Sequence, residues 1–166
     1  MSSNQHSWNI LPTCGAEVTN LSLGQNLTSE QINEIEHHFT NHGVVYFRGI
    51  DSENKPLSRS EHIHFAEQFG QIYTNRFFPA VNNFQQIAKV EKKKNATRAI
   101  GDGFHSDHTY EFTPALGSIL VARILPKSGG GTVFVDMAKA YESLPQEIKN
   151  KINGLRAVHS SFHVFG

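Results

Sequence analysis

The chain has 166 residues, and its 15 lysines and arginines are balanced by 15 aspartates and glutamates. Zero formal charge excludes a protein that coats nucleic acid or lies on a membrane surface, since either would carry a basic face or tail. No apolar run approaches the ~20 residues needed to span a bilayer, and 38% apolar with 18% charged residues is a globular composition. The length fits one domain or a large part of a bigger one. The polar start, Met1 to His6, lacks the apolar core of a secretory signal. Cys14 is the only cysteine, which excludes intramolecular disulfides and thiolate zinc sites. A reducing cytoplasm is the expected address. Ten histidines are the unusual feature of the composition.

In chain order, Ile10 to Leu23 reads as short extended pieces broken by Pro12, Gly15 and Asn20. Thr28 and Gln31 form a capping box ahead of Ile32, Ile35 and Phe39 at helical spacing, with Gly43 as the stop. Val44 to Phe47 is a continuous apolar run, the pattern of a strand buried on both faces. Asp51 to Pro56 reads as a loop. Ser58 and Glu61 repeat the capping box before Ile63, Phe65, Ala66 and Phe69, with Gly70 closing that helix.

Ile87 to Val90 reads as a strand, and Glu91 to Gly103 as a polar loop. Ser118 to Leu125 carries the strongest strand pattern. The glycines 129 to 131 then turn the chain into a second one, Thr132 to Val135. Asp136 opens a short helix. Ser143 to Gln146 starts another, with Pro145 in its first turn and Gly154 at its end, and Val158 to Phe165 looks extended. The spacing is too irregular for a doubly wound parallel sheet. The expected architecture is mainly β with flanking helices (α+β), a sandwich or barrel core with helices outside.

The densest chemical constellation is Phe104-His105-Ser106-Asp107-His108. In extended backbone, residues i and i+2 share a side, so His105 and Asp107 present one nitrogen and one anionic oxygen donor together. With a second histidine from elsewhere they would form the facial triad that holds non-haem Fe(II). A lone His-x-Asp is common, and by pattern alone hydrogen bonding within a loop is the more frequent explanation. His108 would suit a two-metal hydrolase, but Gly103 stands where its first histidine belongs, so a loop role is preferred.

The glycines at 129–131 lead into a β-branched run rather than a helix, which favours a tight turn over a phosphate cradle. Lys92 to Lys94 read as solvated loop charge. His37 with His38, and His62 with His64, lack chelating spacing within each pair. His159 and His163 are the only late histidines able to complete a triad inside the chain.

Taken together, Gly15 to Val18, His42 to Arg48, Phe65 to Gly70, Phe104 to Asp107, Gly130 to Thr132, Asp136-Met137, Ala140-Tyr141 and Gly154 to His159 resemble, in order, the taurine dioxygenase family of Fe(II)- and 2-oxoglutarate-dependent oxygenases. That family also contains the 2,4-dichlorophenoxyacetate dioxygenases. The resemblance implies a double-stranded β-helix, or jelly roll, and makes the chain the N-terminal portion of such a domain. It implies that His105 and Asp107 ligate iron and that Thr132 bonds the 2-oxoglutarate carboxylate. A third ligand histidine and an arginine for 2-oxoglutarate are then expected beyond Gly166. The incomplete jelly roll would leave an open edge that invites pairing with another copy.

In the substrate region, Asn75 and Phe78 stand where taurine dioxygenase has a His and a Tyr, and Gly101 replaces an asparagine, so taurine is not expected as substrate. Arg76 offers a cation for an anionic substrate, or is a solvated loop arginine. The expected activity is hydroxylation of a small, anionic organic molecule with O2, releasing succinate and CO2. The rival is a catalytically incomplete β-rich fragment acting as a metal-binding or assembly module.

Overall fold

The computed structural model describes residues 6–48, 55–97, 101 and 103–162. The chain divides into two compact units, one of Met1–Phe69 with Val121–Leu155 and the other of Gly70–Leu120 with Arg156–Gly166.

In the first unit, strand β1 (Ser7–Ile10) pairs antiparallel with β2 (Ala16–Thr19), and β2 pairs parallel with β3 (Val45–Phe47). Helix α1 (Ser29–His42) makes the crossover between the parallel strands, as a parallel pair requires. Both ends of α1 follow the sequence signals. The Thr28 hydroxyl accepts from the Gln31 amide, and the Gln31 side chain accepts from the Thr28 amide. Gly43, at φ 75°, closes the helix by donating to the Phe39 carbonyl at 2.8 Å.

Helix α2 (Arg59–Glu67) has the expected Ser58–Glu61 capping box but ends at Gln68 rather than Gly70. There the Gln68 side chain accepts from the Leu27 amide at 2.7 Å, pinning the end of α2 to the approach to α1. The core gathers Val18, Leu21, Leu23, Ile35, Leu57 and Phe65, with Trp8, Val45, Phe47, Phe69 and Val121 packed against it. Phe65 meets Phe47 and Phe69 edge-on at 5.6 and 5.1 Å. β3 is half-buried rather than buried on both faces.

β1 is also tied to α1. The Trp8 ring stacks on His38 at 3.9 Å, and His38 stacks on His42 at 5.6 Å. The Trp8 indole N–H and the His6 ring both bond the Glu34 carboxylate. Those bonds hold Glu34 below the usual carboxylate range, His6 contributing most.

Later in this unit, α3 (Met137–Glu142) starts at Asp136, whose side chain accepts from the Lys139 amide at 3.0 Å. α4 (Gln146–Ile152) follows, with Pro145 at the N-cap rather than inside the first turn. Gly129 and Gly130 both take positive φ, 73° and 71°, directly after a bend at 127–128.

Ser118–Leu125 and Thr132–Val135 are not strands among the described residues. Their β-rich composition is real, but a strand exists only through ladder partners, and none is present there. Ile124 is 93% exposed and Val133 72%. Residues 158–160 are likewise unpaired. His163, the rest of the Val158–Phe165 segment after Phe162, and residues 51–54 of the expected loop lie outside the described residues.

The second unit contains a hairpin of β4 (Ala80–Val81) and β5 (Phe84–Ala88), so the strand expected over Ile87–Val90 begins and ends earlier. Its turn places Asn83 at φ 64°, a conformation asparagine tolerates.

Candidate metal centre

His105 and Asp107 belong to the second unit, on a segment that passes from irregular backbone at 104–106 into a turn at 107–110. His105 Nε2 lies 3.2 Å from Asp107 Oδ1, with both side chains slightly over half exposed. The expected sharing of one side by residues i and i+2 is therefore present. His105 Nδ1 lies 2.8 Å from the Gly103 carbonyl. That oxygen can only accept, so Nδ1 is the donor there, and Nε2 is the nitrogen turned toward the Asp107 carboxylate.

Two donors bound at about 2.1 Å and at right angles on one ion stand about 3 Å apart. The observed separation fits adjacent positions on an octahedral ion, and the pairing of imidazole with carboxylate suits iron. Among the described residues no group of three His, Cys, Asp or Glu side chains is arranged to hold a metal, so His159 does not complete a triad.

Backbone geometry explains the glycine at 101. Its φ is +77°, and a Cβ there would stand 3.2 Å from His105 Cε1. The asparagine that taurine dioxygenase is expected to have at this position would bring its Cβ into that contact.

Several neighbours in the same unit hold the His105–Asp107 segment, and sequence reading missed the roles of Ser118, Tyr73 and Glu111 among them. The Ser118 hydroxyl donates to Asp107 Oδ2 at 3.0 Å. One oxygen of Glu111 accepts from both the Tyr73 hydroxyl and the Arg76 guanidinium, each at 3.1 Å. The Glu111 amide closes the turn onto the His108 carbonyl at 3.0 Å. His108, at φ 56°, packs its ring edge-on against Tyr73 at 4.8 Å. Tyr110 meets Phe77 at 5.8 Å. Partial desolvation pushes both the Tyr73 and Tyr110 hydroxyls above the ordinary phenol range, followed at Tyr73 by its hydrogen bond to Glu111 and at Tyr110 by the Glu111 charge. Tyr73 and Glu111 are ordinary residue types 38 positions apart, with no motif to link them.

The substrate candidates have structural duties. Asn75 Oδ1 accepts from the Phe77 and Phe78 amides at 2.8 and 3.2 Å, shaping its own turn. Arg76 is paired with Glu111 at 3.1 Å while its side chain stays exposed to solvent. Phe78 is half-buried. Thr132 is exposed, directly after the glycine turn of the first unit.

The family model described as "Taurine catabolism dioxygenase TauD, TfdA family" matches residues 9–166. The chain belongs to this family. It is 32% identical to an alpha-ketoglutarate-dependent 2,4-dichlorophenoxyacetate dioxygenase of Burkholderia sp. (strain RASC), a match covering 92% of this chain and 55% of that protein. It is 31% identical to an alkylsulfatase of Acinetobacter baylyi, covering 92% and 46% respectively. The crystal structure of a candidate alpha-ketoglutarate-dependent taurine dioxygenase from Burkholderia xenovorans superposes with a TM-score of 0.72 at 24% identity, over 93% of this chain and 53% of that one. The fold is thus that of a TauD-type protein. The chain spans about half the length of the curated relatives it matches.

Proposed function

We propose that the chain is the N-terminal portion of a single-domain Fe(II)/2-oxoglutarate-dependent dioxygenase with a jelly-roll core, hydroxylating a small anionic organic substrate. The juxtaposition of His105 Nε2 and Asp107 Oδ1 at 3.2 Å, on a segment that matches the family pattern, carries this reading. Fe(II) with 2-oxoglutarate and O2 supplies the oxidant for a C–H bond and yields succinate and CO2.

The residues of this chain do the holding. His105 and Asp107 bind the ion, with a further histidine outside this chain as third ligand. Thr132 donates its hydroxyl to the 2-oxoglutarate carboxylate. Asn75 and Phe78 shape the substrate side through the turn they share. Arg76 draws the anion, which must compete with Glu111 for the guanidinium. Two of the relatives are named for anionic substrates, a phenoxyacetate and an alkyl sulfate, which supports an anion here. A cytoplasmic address belongs to the same reading; among the described residues no helix is long and apolar enough to cross a membrane.

The test is anaerobic calorimetry of Fe(II) binding with 2-oxoglutarate present. His105→Ala and Asp107→Ala should each weaken binding at least tenfold, and unchanged affinity in both would refute the assignment. A second reading, a catalytically incomplete metal-binding or self-associating module, is favoured by the exposed apolar side chains of 119–135. Succinate formed from 2-oxoglutarate in proportion to a consumed substrate would exclude it.

A further inference from the structure

We propose that Ser118 is a positioning residue that fixes the Asp107 carboxylate for metal binding. The proposal rests on the reading of His105 and Asp107 as ligands and adds a residue to it. Asp107 uses its two oxygens differently: Oδ1 faces His105 Nε2 at 3.2 Å, while Oδ2 accepts the Ser118 hydroxyl at 3.0 Å.

A carboxylate more than half exposed is not locked by packing. Its side chain therefore samples several rotamers unless a directional bond selects one. A hydroxyl donating to an ionised acceptor is the stronger kind of hydrogen bond. By occupying Oδ2 it turns Oδ1 toward the imidazole. The two ligands are then served in parallel, His105 by the Gly103 carbonyl on Nδ1 and Asp107 by Ser118 on Oδ2. Outer partners of this kind are worth roughly 10–100-fold in metal affinity. The Gly103 contact is backbone and survives substitution, whereas the Ser118 contact can be removed alone.

The residue also explains part of the run from Ser118 to Leu125. Its first side chain serves the ligand segment eleven residues earlier rather than a strand ladder.

The experiment uses the 166-residue chain and two readouts. Calorimetry with Co(II) as probe compares wild type with Ser118→Ala, Ser118→Thr, His105→Ala and Asp107→Ala. Ser118→Ala should weaken Co(II) binding at least tenfold with the thermal midpoint unchanged, and Ser118→Thr, which keeps the hydroxyl, should restore it. Without metal, the Hα–Hβ couplings of Asp107 should report one rotamer in wild type and Ser118→Thr and an average in Ser118→Ala. Wild-type Co(II) affinity in Ser118→Ala, or couplings unaltered by that change, overturns the proposal while leaving the ligands standing if Asp107→Ala still loses the metal. Unaltered binding in both His105→Ala and Asp107→Ala removes the ligand assignment and this proposal with it.

Discussion

Two stretches that both carry β-branched and bulky apolar side chains behave in opposite ways. Between Val18 and Phe65, apolar side chains converge on one cluster in which Val18 and Leu23 are fully enclosed. Between Ile119 and Val135 the side chains are equally β-branched or bulky, yet Leu120, Ile124, Leu125, Val133, Phe134 and Val135 are exposed. The first region has ladder partners and a helix to pack against; the second has neither among the described residues. Hydrophobic pattern announces the wish to be buried, and only a partner grants it. Val121 shows the exception from inside the second region, reaching the core cluster while Arg123 donates to the Leu57 carbonyl at 2.8 Å.

The largest effect that separates the regions is a cavity. Leu23→Ala should cost about 2–5 kcal/mol by urea unfolding, whereas Ile124→Ala should stay within about 0.5 kcal/mol. A large loss from Ile124→Ala would mean that this side chain is buried in solution, and the contrast would fail. Amide hydrogen exchange sharpens the same comparison: Ala16–Thr19 should exchange far more slowly than 119–125, whose amides lack a ladder. Smaller still is the capping bond of α1. Thr28→Ala should cost about 1 kcal/mol, and Thr28→Ser very little.

The smallest effect is electrostatic and lies at the margin of the packed region. Burial, and then the charges of His37 and His42, hold His38 below the ordinary imidazole range, against the pull of Glu34. The unfolded chain therefore takes up this proton before the folded one does. The stability involved is fully present above about pH 6.5 and falls as pH drops from there toward the lowered folded value. Trp8 is the only tryptophan and stacks on His38, so its fluorescence reads the change directly. Urea unfolding at pH 7.5 and 5.5 should show lower stability at the acid value. His38→Gln should flatten that dependence, and an unchanged slope in the variant would assign it elsewhere.

These contrasts show which parts of the molecule were legible in the sequence. Both capping boxes, the Gly43 stop and the Asp136 cap are local signals, complete within four residues, and the structure follows them. The His105–Asp107 juxtaposition was readable for the same reason, since i and i+2 is a local relation. The failures are non-local. Whether Ser118–Leu125 is a strand depends on chain that must lie beside it. Ser118 and Glu111 acquire their contacts across 11 and 35 residues respectively. The stack on His38 was also partly readable: His42 stands four residues on, one helical turn away, but its tie to Trp8 was not.

The order of elements in the first unit also bears on how the chain acquires its shape during synthesis. β1, β2, α1 and β3 are all complete by Phe47, and the buried members of the cluster by Phe65. Short sequence separations close quickly, and translation delivers this stretch well before Ile119 leaves the ribosome. The cluster's buried members are thus all synthesised before the later apolar segment emerges, an order in which Val121 is the last to join them.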